Sequence, residues 1–519
     1  MIFLTGFMGS GKSTVGWKLA SLLGMPFVDL DAVISKKAGT SIPDIFRCAG
    51  EEAFRFLERK ALLEAASGAE PCVVATGGGL PVNPFNRRIM KASGFIVHLK
   101  ASFESIMSRV PDDQSRPLWN TDSRALFESR KDAYADADLV IDTDIKTADQ
   151  EAREISEAVS GFTLPTGVIL PENPYPVYIG KGIFKDILTL MKRSLTPEGL
   201  FVLVDENVRK HHKDLIEETL ATQPHVLMTV PSGEESKSSA FLEKVLGEMF
   251  FRRVNRQWAC LAIGGGVTGD LAGFAASVYM RGIPVIHAAT TLLSQTDSSI
   301  GGKTGINNAY GKNLVGTFHQ PLFVMSDINF LATLDQAQIR SAMAEVIKYG
   351  IIMDKGLFEY IESNPACDYG KIVAMCARDK ARIVSGDERE GGLRRILNFG
   401  HTLGHAVEKS TGYAVLHGEA VALGMLFAAW LSVKRGILSR AAFDRIRSLI
   451  EREHIIPSSL RLPGREEAAE AMSMDKKGQG TGIHFVLTPS IGDVSVQKLS
   501  EIEVLEAYKG FADGYVRGL

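Results

Sequence analysis

The sequence predicts an α/β protein: a P-loop (phosphate-binding loop) domain with a parallel sheet, then an α/β nucleotide-binding domain, then a mainly α-helical metal-binding domain. Three observations predict this fold class. A phosphate-binding loop follows the first apolar strand, strands and helices alternate from residue 177 to residue 333, and the apolar pattern turns helical from about residue 334. Alternating strands and helices are typical of parallel sheets covered by helices.

Composition excludes several protein classes. The chain has 519 residues, with 45% hydrophobic and 23% charged residues, as in ordinary globular proteins of two to four domains. A net charge of −3 argues against a nucleic-acid or anionic-membrane binder. The N-terminus lacks a basic leader and no apolar run approaches the ~18 residues of a membrane span, so we expect a cytoplasmic protein. The cysteines form no CxxC pair and are expected to be buried, reduced thiols: Cys48, Cys72, Cys260, Cys367 and Cys376.

Four segments follow from the pattern of elements and breakers. The first domain spans residues 1–162 and closes with a predicted helix at Ala148–Ser160. Residues 161–176 contain four prolines and two glycines, which predicts a linker at 163–176. The nucleotide-binding domain is expected at 177–333 and the helical metal and substrate domain at 334–519.

The first domain opens with a phosphate-binding sequence. Residues 6–14 fit the pattern G-x-x-x-x-G-K-S/T between a strand and a predicted helix. Glycines let backbone N–H groups surround an anion, and the helix N-terminus adds its dipole. We expect Lys12 to reach the β- and γ-phosphates and the Ser13 hydroxyl to hold Mg²⁺.

Three later features indicate the second substrate of this domain. Asp29 and Asp31 are expected on one side at the end of the second strand. Arg55 and Glu58 lie about one turn apart on a predicted helix, and a buried strand runs into three glycines at 77–79. The ordered set resembles shikimate kinase over residues 1 to about 160.

That resemblance implies a site for ATP with Mg²⁺ and for shikimate. It implies a nucleotide loop at Gly9, Ser10, Gly11, Lys12, Ser13 and Thr14, with Arg109 near the nucleotide. Asp31 would orient the attacked hydroxyl, Asp29 would sit by Mg²⁺, and Arg116 would reach the transferring phosphoryl group from a lid. The shikimate carboxylate would be clamped by Arg55 and Arg130, with Gly77, Gly78 and Gly79 lining the pocket.

The nucleotide-binding domain carries two glycine-rich stretches. The glycines at 264–266 follow a strand and suit a pyrophosphate, although their spacing is not G-x-G-x-x-G. Lys303, Lys312 and Asn313 are expected on glycine-rich loops, which suits a phosphorylated substrate.

Three histidines fall within a short stretch of the helical domain. His401 and His405 share a helical face, and His417 opens the next predicted helix. Two imidazoles and the carboxylate of Glu345, on an earlier helix, would make a Zn²⁺ site with an open position.

Residues from about 168 to 519 resemble 3-dehydroquinate synthase. The most specific sequences are the stretches at 294–299, 301–305, 311–313, 344–350, 398–405 and 416–419. The resemblance implies zinc or cobalt ligands Glu345, His401 and His417, and catalytic groups His405, Lys303 and Asp297. NAD⁺ would be held by Asp205, Asn207, Glu234, Lys237, Gly265, Gly266, Asp270, Thr290 and Thr291. The substrate would be lined by Arg281, Lys303, Lys312, Asn313, Lys348, Lys380, Arg394, Asn398, His405 and one of Lys476 or Lys477.

The two resemblances imply a bifunctional fusion in the shikimate pathway. One half would phosphorylate shikimate. The other would convert 3-deoxy-D-arabino-heptulosonate 7-phosphate to 3-dehydroquinate and phosphate, through a hydride lent to NAD⁺ and a hydroxyl polarised by the metal. A homodimer through the synthase part is expected. Two alternatives stay open: a zinc- and NAD-dependent polyol dehydrogenase in the C-terminal half, or one half that is a degenerate regulatory module.

Overall fold

The computed structural model describes residues 1–68, 70–109, 123–464, 467–468 and 483–516, apart from the side chains of 483, 515 and 516. These residues form two compact units, one of 1–197 with 320–325 and one of 198–319 with 326–519. Each unit is described by itself. None of the described helices is long and apolar enough to cross a membrane.

The first unit is built on a parallel sheet whose described strands follow the order β2-β3-β1-β4-β5. Its strands are β1 Ile2–Thr5, β2 Phe27–Asp29, β3 Val73–Ala75, β4 Phe95–Lys100, β5 Leu139–Asp142, β6 Thr166–Val168 and β7 Tyr175–Gly180. Its helices are α1 Lys12–Leu23, α2 Leu30–Ala38, α3 Ile42–Ala66, α4 Pro84–Ser93, α5 Phe103–Arg109, α6 Ser123–Ser129, α7 Lys131–Ala135, α8 Ala148–Ser160 and α9 Ile187–Lys192.

The inner strands β1, β3 and β4 are largely buried on both faces, as in parallel sheets generally, whereas β2 and β5 are more exposed. Ile2, Phe3 and Leu4 of β1 are fully buried. Phe3 packs into one apolar cluster with α3 and α4, while Ile2 and Leu4 pack into another with α1 and α8. Helices therefore cover both faces, and the loops after β1, β2 and β3 open at one edge of the sheet.

The segment expected to be a linker is ordered and packed. It contains β6, which pairs antiparallel with β7. Val168 and Leu170 are buried, and Ile169 joins the apolar cluster that holds Met1 and Phe3. The turn residues at 161–176 therefore end α8, but the chain stays on the surface of the P-loop domain.

Arg193, directly after α9, fixes this segment further. Its guanidinium donates to both carboxylate oxygens of Asp138 at 2.7 Å and to the Gly94 carbonyl at 2.7 Å. Only 9% of the Arg193 side chain and 12% of the Asp138 side chain are exposed. The first unit accordingly continues to Pro197, beyond the boundary at 162 that the sequence suggested.

The second unit contains a parallel sheet, two hairpins and a helical region. Its strands are β8 Leu200–Asp205, β9 His225–Val230, β10 Ala259–Gly264, β11 Val285–Ala289, β12 Lys303–Asn308, β13 Gly311–Phe318, β15 Ile483–Ser490 and β16 Asp493–Leu499, while β14, Phe323–Asp327, begins in the first unit. Its helices are α10 Glu206–Leu220, α11 Ser239–Phe251, α12 Gly266–Val278, α13 Gln336–Ile352, α14 Lys355–Ser363, α15 Tyr369–Gly386, α16 His401–Ser410, α17 His417–Lys434, α18 Arg440–Arg452 and α19 Glu501–Val516.

The predicted fold class is confirmed. Strands β8 to β11 are parallel and follow the order β11-β10-β8-β9, and α13 to α18 form the helical region. Two hairpins were not expected. The pair β12–β13 carries the stretch predicted as glycine-rich loops, and β15–β16 adds a sheet to the helical domain.

All five cysteines are free thiols. Cys72, Cys260 and Cys376 are buried as expected, but Cys48 is exposed and Cys367 is half-buried. The expectation of five buried thiols is therefore wrong for Cys48. The cause is its position on the solvent side of α3, where the structure leaves the helix uncovered.

Candidate active sites

The phosphate-binding loop lies between β1 and α1. Gly9 and Gly11 have left-handed backbone conformations, with φ of 81° and 92°, and Gly11 caps α1. Residues with a Cβ atom are strained at such φ values, which is why glycines occupy these positions. The Nζ atom of Lys12 donates to the carbonyls of Gly6 and Phe7, both at 2.9 Å, and so curls over the loop.

Asp29 links this loop to the next element. Its Oδ2 atom accepts from the Ser13 hydroxyl at 2.6 Å, and its Oδ1 atom accepts from the backbone N–H of Asp31 and of Ala32. Asp29 therefore caps α2, and Asp31 lies in the first turn of that helix instead of at the end of the strand as predicted. A hydroxyl beside a carboxylate at a phosphate loop fits the coordination chemistry of Mg²⁺.

A cavity of about 690 Å³ joins the loop to α3 and to the turn after β3. It brings together the predicted groups Gly9, Gly11, Lys12, Ser13, Thr14, Asp29, Asp31, Arg55, Gly77, Gly78, Gly79, Arg109 and Arg130. Ser10 is buried beneath the loop. Arg116 lies outside the described residues.

The ion pair between Arg55 and Glu58 forms one wall of the cavity. Arg55 donates to Glu58 at 2.7 Å and to Glu51 at 2.9 Å. The Glu58 side chain is buried, which raises the pKa of its carboxyl group, and Arg55 opposes that rise. Any Cβ at Gly77 would strike the Glu58 carboxylate, and one at Gly79 would strike the Arg55 guanidinium.

The two other described arginines that the sequence predicted for this site lie at different depths. Arg130, at the start of α7, is 6% exposed, and its guanidinium lies 5.7 Å from the ring centre of Phe7. Arg109 donates to the carbonyl and hydroxyl of Thr143 at the cavity edge. Tyr134, which the sequence did not indicate, donates to the Gly78 carbonyl and holds the glycine turn.

In the second unit, Glu345, His401 and His417 converge from three helices. The Nε2 atoms of both histidines lie 3.4 Å from Glu345 Oε1. Each residue offers one potential metal-ligand atom, and these three atoms lie within 4.8 Å of one another. The Nδ1 atom of His401 faces the Phe399 carbonyl at 3.3 Å, which leaves Nε2 as the donor toward the centre.

Electrostatics favour a cation at this centre. Burial, together with the positive charge of Lys348, lowers the pKa of His401 to about 3. Burial would also lower the pKa of His417, but hydrogen bonds with Glu345 and Glu408 raise it to about 9. Two imidazoles and a buried carboxylate are a donor set that fits Zn²⁺ or Co²⁺, and such an ion would displace the His417 proton.

His405 lies beside this centre but outside the group of three. Its ring centre is 5.4 Å from that of His401 and 6.4 Å from that of His417, and the side chain is exposed. It is therefore close to the three converging residues and accessible from solvent.

A buried charge pair lies deeper in the same site. Lys380 Nζ donates to Asp297 Oδ1 at 2.5 Å, and the Tyr349 hydroxyl donates to the same oxygen at 2.6 Å. Burial would raise the pKa of Asp297, but Lys380 and Lys348 outweigh it and hold that pKa well below its usual range. Burial lowers the pKa of Lys380 to about 8 against the attraction of Asp297. Lys348 pairs with Glu345 and so connects this pair to the histidine centre.

The hairpin β12–β13 presents two lysines to carboxylates that the sequence analysis missed. Lys303 Nζ lies 2.6 Å from Glu390, and Lys312 Nζ lies 3.0 Å from Glu408. Both lysines were predicted on loops, but strand pairing of Lys303 with Phe318 places them on the hairpin. Glu408 could have been found from the sequence, because it lies two helical turns after His401.

The predicted NAD⁺ residues surround the start of α12. Buried Lys237 donates to Asp270 at 2.6 Å and to the Asn313 side chain at 2.5 Å. A Cβ at Gly265 would contact the Thr291 side chain at 2.8 Å, so the backbone there is closely approached. At the end of β8, Asp205 caps α10 and accepts from the Asn207 backbone N–H. Glu234, after β9, accepts from the Asn307 side chain. Gly266 begins α12, and the Thr290 backbone donates to the Gly264 carbonyl.

Some predicted residues are not joined to these clusters. Arg281 is exposed with φ of 69°, and Asn398 is exposed at the end of a short 3₁₀ turn. Arg394 is buried and donates to the carbonyls of Gly301 and Glu388. Lys476 and Lys477 lie outside the described residues.

Different parts of the chain match two known families. Residues 8–160 match the family model of shikimate kinase. Residues 227–341 match that of the 3-dehydroquinate synthase N-terminal part, and 342–478 that of its C-terminal part. A 3-dehydroquinate synthase of Thermoanaerobacter pseudethanolicus is 40% identical over 350 residues, which is 66% of this chain and 98% of that protein.

Another relative and two solved structures extend the comparison. A 3-dehydroquinate synthase of Rhodospirillum rubrum is 42% identical over 341 residues, covering 63% of this chain and 89% of that protein. The 2-epi-5-epi-valiolone synthase of Streptomyces hygroscopicus subsp. jinggangensis, with NAD⁺ and Zn²⁺ bound, has a TM-score of 0.61 at 26% identity, covering 66% of this chain and 98% of that one. A 2-deoxy-scyllo-inosose synthase with carbaglucose-6-phosphate, NAD⁺ and Co²⁺ has the same TM-score at 22% identity, covering 67% and 99%, and shows the fold alone.

Proposed function

Since the chain belongs to the 3-dehydroquinate synthase family and also carries a shikimate kinase domain, we propose that each of its two sites catalyses one reaction. It is a bifunctional enzyme of the shikimate pathway. One site phosphorylates shikimate to shikimate 3-phosphate. The other converts 3-deoxy-D-arabino-heptulosonate 7-phosphate to 3-dehydroquinate and phosphate.

The kinase site takes ATP with Mg²⁺. The Lys12 ammonium leaves the carbonyls of Gly6 and Phe7 to contact the β- and γ-phosphates, and Ser13 with Asp29 holds the ion. Asp31 orients the attacked hydroxyl of shikimate. The Arg55 and Arg130 guanidinium groups bind the shikimate carboxylate at the far wall of the cavity.

The synthase site takes NAD⁺ and Zn²⁺ or Co²⁺. Glu345, His401 and His417 hold the metal, and the observation that carries this proposal is their convergence within 4.8 Å. When bound, the metal would supply a Lewis acid that polarises a substrate hydroxyl, and NAD⁺ would supply reversible hydride transfer. His405 is placed to take the hydroxyl proton.

The charged side chains around the metal centre orient the substrate. Lys303 and Lys312 on the hairpin bind the phosphate, which is eliminated after oxidation, and they exchange their present carboxylate partners for it. Lys380 and Asp297 bind hydroxyl groups deeper in the site. The ionised state of Asp297 keeps it a hydrogen-bond acceptor at neutral pH.

The NAD⁺ site lies at the carboxyl ends of β8 and β10. Gly265 and Gly266 allow the pyrophosphate to approach the N-terminus of α12, and Asp205 with Asn207 lies at the end of the neighbouring strand. Thr290 and Thr291 lie after β11 beside the same edge. Lys237 and Asp270 form a buried pair that supports this loop.

We propose a homodimer formed through the synthase part. Supporting this, the hairpin β12–β13 exposes apolar side chains, among them Tyr310 at 92% and Leu314 at 63%. Exposed apolar patches of this kind mark contact surfaces. Light scattering should give twice the chain mass of 56.4 kDa. A mass of one chain at working concentration would contradict the dimer.

Product analysis tests the proposed function. The pure chain is given shikimate with ATP and Mg²⁺ in one tube, and the heptulosonate phosphate with NAD⁺ and Zn²⁺ in another. Phosphorus NMR should show shikimate 3-phosphate in the first and released phosphate in the second, with 3-dehydroquinate detected by its mass. A polyol dehydrogenase would instead reduce NAD⁺ without releasing phosphate, and a degenerate half would leave its substrate unchanged.

A further inference from the structure

Glu408 contacts two candidate groups of the synthase site from a position within the helix α16. Its side chain is 5% exposed. Oε1 accepts from Lys312 Nζ at 3.0 Å, and Oε2 accepts from His417 Nδ1 at 3.3 Å. One carboxylate therefore spans a proposed metal ligand and a proposed phosphate-binding lysine.

We propose that Glu408 is a positioning residue of the synthase, which orients His417 toward the metal and Lys312 toward the substrate phosphate. This inference rests on the proposed function and deepens it. Glu408 does not itself contact the metal or the substrate. It acts through the two side chains that do.

The geometry at His417 supports the first part of this role. Because Nδ1–H donates to Glu408, the lone pair of the neutral ring lies on Nε2, which faces Glu345 Oε1 at 3.4 Å. A histidine that binds a metal ordinarily donates its other N–H to a carboxylate or carbonyl, which fixes the ring and strengthens the ligand. His401 uses the Phe399 carbonyl in this way, and His417 uses Glu408.

The geometry at Lys312 supports the second part. The Lys312 ammonium lies 4.3 Å from the ring centre of Tyr413, in addition to its contact with Glu408. The Tyr413 backbone N–H donates to the Glu408 carbonyl at 2.7 Å, at a turn where Gly412 and Tyr413 both have positive φ. Glu408 therefore contacts Lys312 directly through its carboxylate. Through its carbonyl it also holds Tyr413, whose ring lies beside Lys312. These contacts keep the end of the hairpin close to the histidine centre.

A structural ion pair would predict something different. If Glu408 only stabilised the fold, its removal would lower stability of the second unit without a specific effect on metal affinity. If it positions His417, removal should lower zinc affinity by roughly 10- to 100-fold, the usual effect of removing such a carboxylate. Loss of the Lys312 contact should also raise KM for the heptulosonate phosphate.

The test compares Glu408→Ala, Glu408→Gln and the matched control Glu419→Gln in the full chain. Glu419, at the start of α17, accepts from the Leu416 backbone and caps the helix that carries His417. Zinc affinity is measured by competition with a chromophoric chelator, and KM and kcat by phosphate release. Circular dichroism of the same molecules reports whether the second unit is folded, and their shikimate kinase rate reports whether the first unit is active.

We expect zinc affinity to fall most in Glu408→Ala and by a smaller factor in Glu408→Gln, whose amide oxygen still accepts from His417. Both variants should show raised KM, while Glu419→Gln should keep wild-type zinc affinity. Wild-type zinc affinity in Glu408→Ala with normal kinase activity would overturn the inference and leave the proposed function standing. If Glu408→Ala does not fold, unchanged affinity and KM in Glu408→Gln overturn it. A wild-type chain that binds no zinc would overturn the metal assignment itself.

Discussion

At the scale of single residues, the geometry separates the two histidines that we propose as metal ligands from the one that we propose as an acid–base group. His401 and His417 point their Nε2 atoms at Glu345, while His405, four residues after His401, faces outward beside them. The two kinds of histidine should respond differently to mutation.

We expect His401→Ala and His417→Ala to purify with depleted zinc, because each removes one of three ligands. His405→Ala should keep near-stoichiometric zinc and lose turnover by roughly 10²–10⁴-fold, the range for general acid–base groups. Metal analysis of the three purified variants decides this. Depleted zinc in His405→Ala beside full zinc in His401→Ala would reverse the assignment.

The kinase cavity offers a residue-scale test at Gly79. An added Cβ would meet the Arg55 guanidinium, which Glu51 and Glu58 hold in place. Gly79→Ala should raise KM for shikimate on the order of tenfold or more, the worth of one hydrogen bond to a charged group. KM for ATP should change little.

Gly161→Ala is the matched control, because nothing lies within 4 Å of a Cβ at that position. Steady-state kinetics with each substrate varied provide the measurement. An unchanged shikimate KM in Gly79→Ala would show that Arg55 does not bind that substrate.

Residue types with a fixed chemical role were predictable from the sequence. The sequence indicated Lys12, which the structure places in the kinase cavity. It also indicated Glu345, His401 and His417, which the structure brings together in the second unit. Glu390 and Tyr349 were not identified, since a lone carboxylate or phenol carries no signal until its partner is known. Glu408 was missed as well, although its spacing of two helical turns from His401 was a usable signal. Asp31 was misplaced because β2 ends at Asp29, two residues before the expected strand end, and Asp29 caps the helix α2 that follows.

At the scale of elements, the segment after α8 behaves as part of the P-loop domain. Strand β6 pairs with β7, and Arg193 donates to Asp138 and Gly94 on the domain surface. Proline and glycine content correctly indicated a break in the helix. It gave no information about packing, because the apolar residues that anchor this segment are too few to form a periodic pattern.

Arg193→Ala should lower the thermal stability of the kinase activity. Removing one partner of a buried ion pair leaves the Asp138 carboxylate unpaired and costs about 3–5 kcal/mol. Arg88→Ala is the matched control, since Arg88 joins the same elements through an exposed contact with the Glu172 carbonyl.

The temperature that halves the shikimate kinase rate after brief heating measures the effect. We expect a clear fall for Arg193→Ala and almost none for Arg88→Ala. Equal values for the two variants would mean that the segment up to Pro197 contributes little to the P-loop domain.

At the scale of the whole molecule, the candidate sites fall within different compact units. All described residues of the kinase cavity belong to the first unit, and the histidine centre with its lysines belongs to the second. The two reactions are not consecutive in the pathway, because the synthase product is dehydrated and reduced before it becomes the kinase substrate. Direct transfer between the sites is therefore not expected.

The order of the P-loop, nucleotide-binding and helical domains was predictable from the sequence, because each has its own motif or periodic pattern. The extent of the first unit was not, because it depends on tertiary contacts such as that between Arg193 and Asp138. The hairpins β12–β13 and β15–β16 were also missed. Glycines weaken the alternating signal of β12 and β13, and the consecutive buried residues 485–488 of β15 do not alternate.

The central claim is that one chain holds two independent active sites, and the rates of both reactions in Lys12→Ala test it most directly. We propose that Lys12 contacts the phosphoryl group as its charge develops, so shikimate phosphorylation should fall on the order of 10²-fold or more. Lys18→Ala, on the same helix with an exposed Asp149 partner, controls for loss of a positive charge. We expect 3-dehydroquinate formation to keep its wild-type rate in both variants. A parallel fall of both activities in a folded Lys12→Ala chain would contradict independent sites.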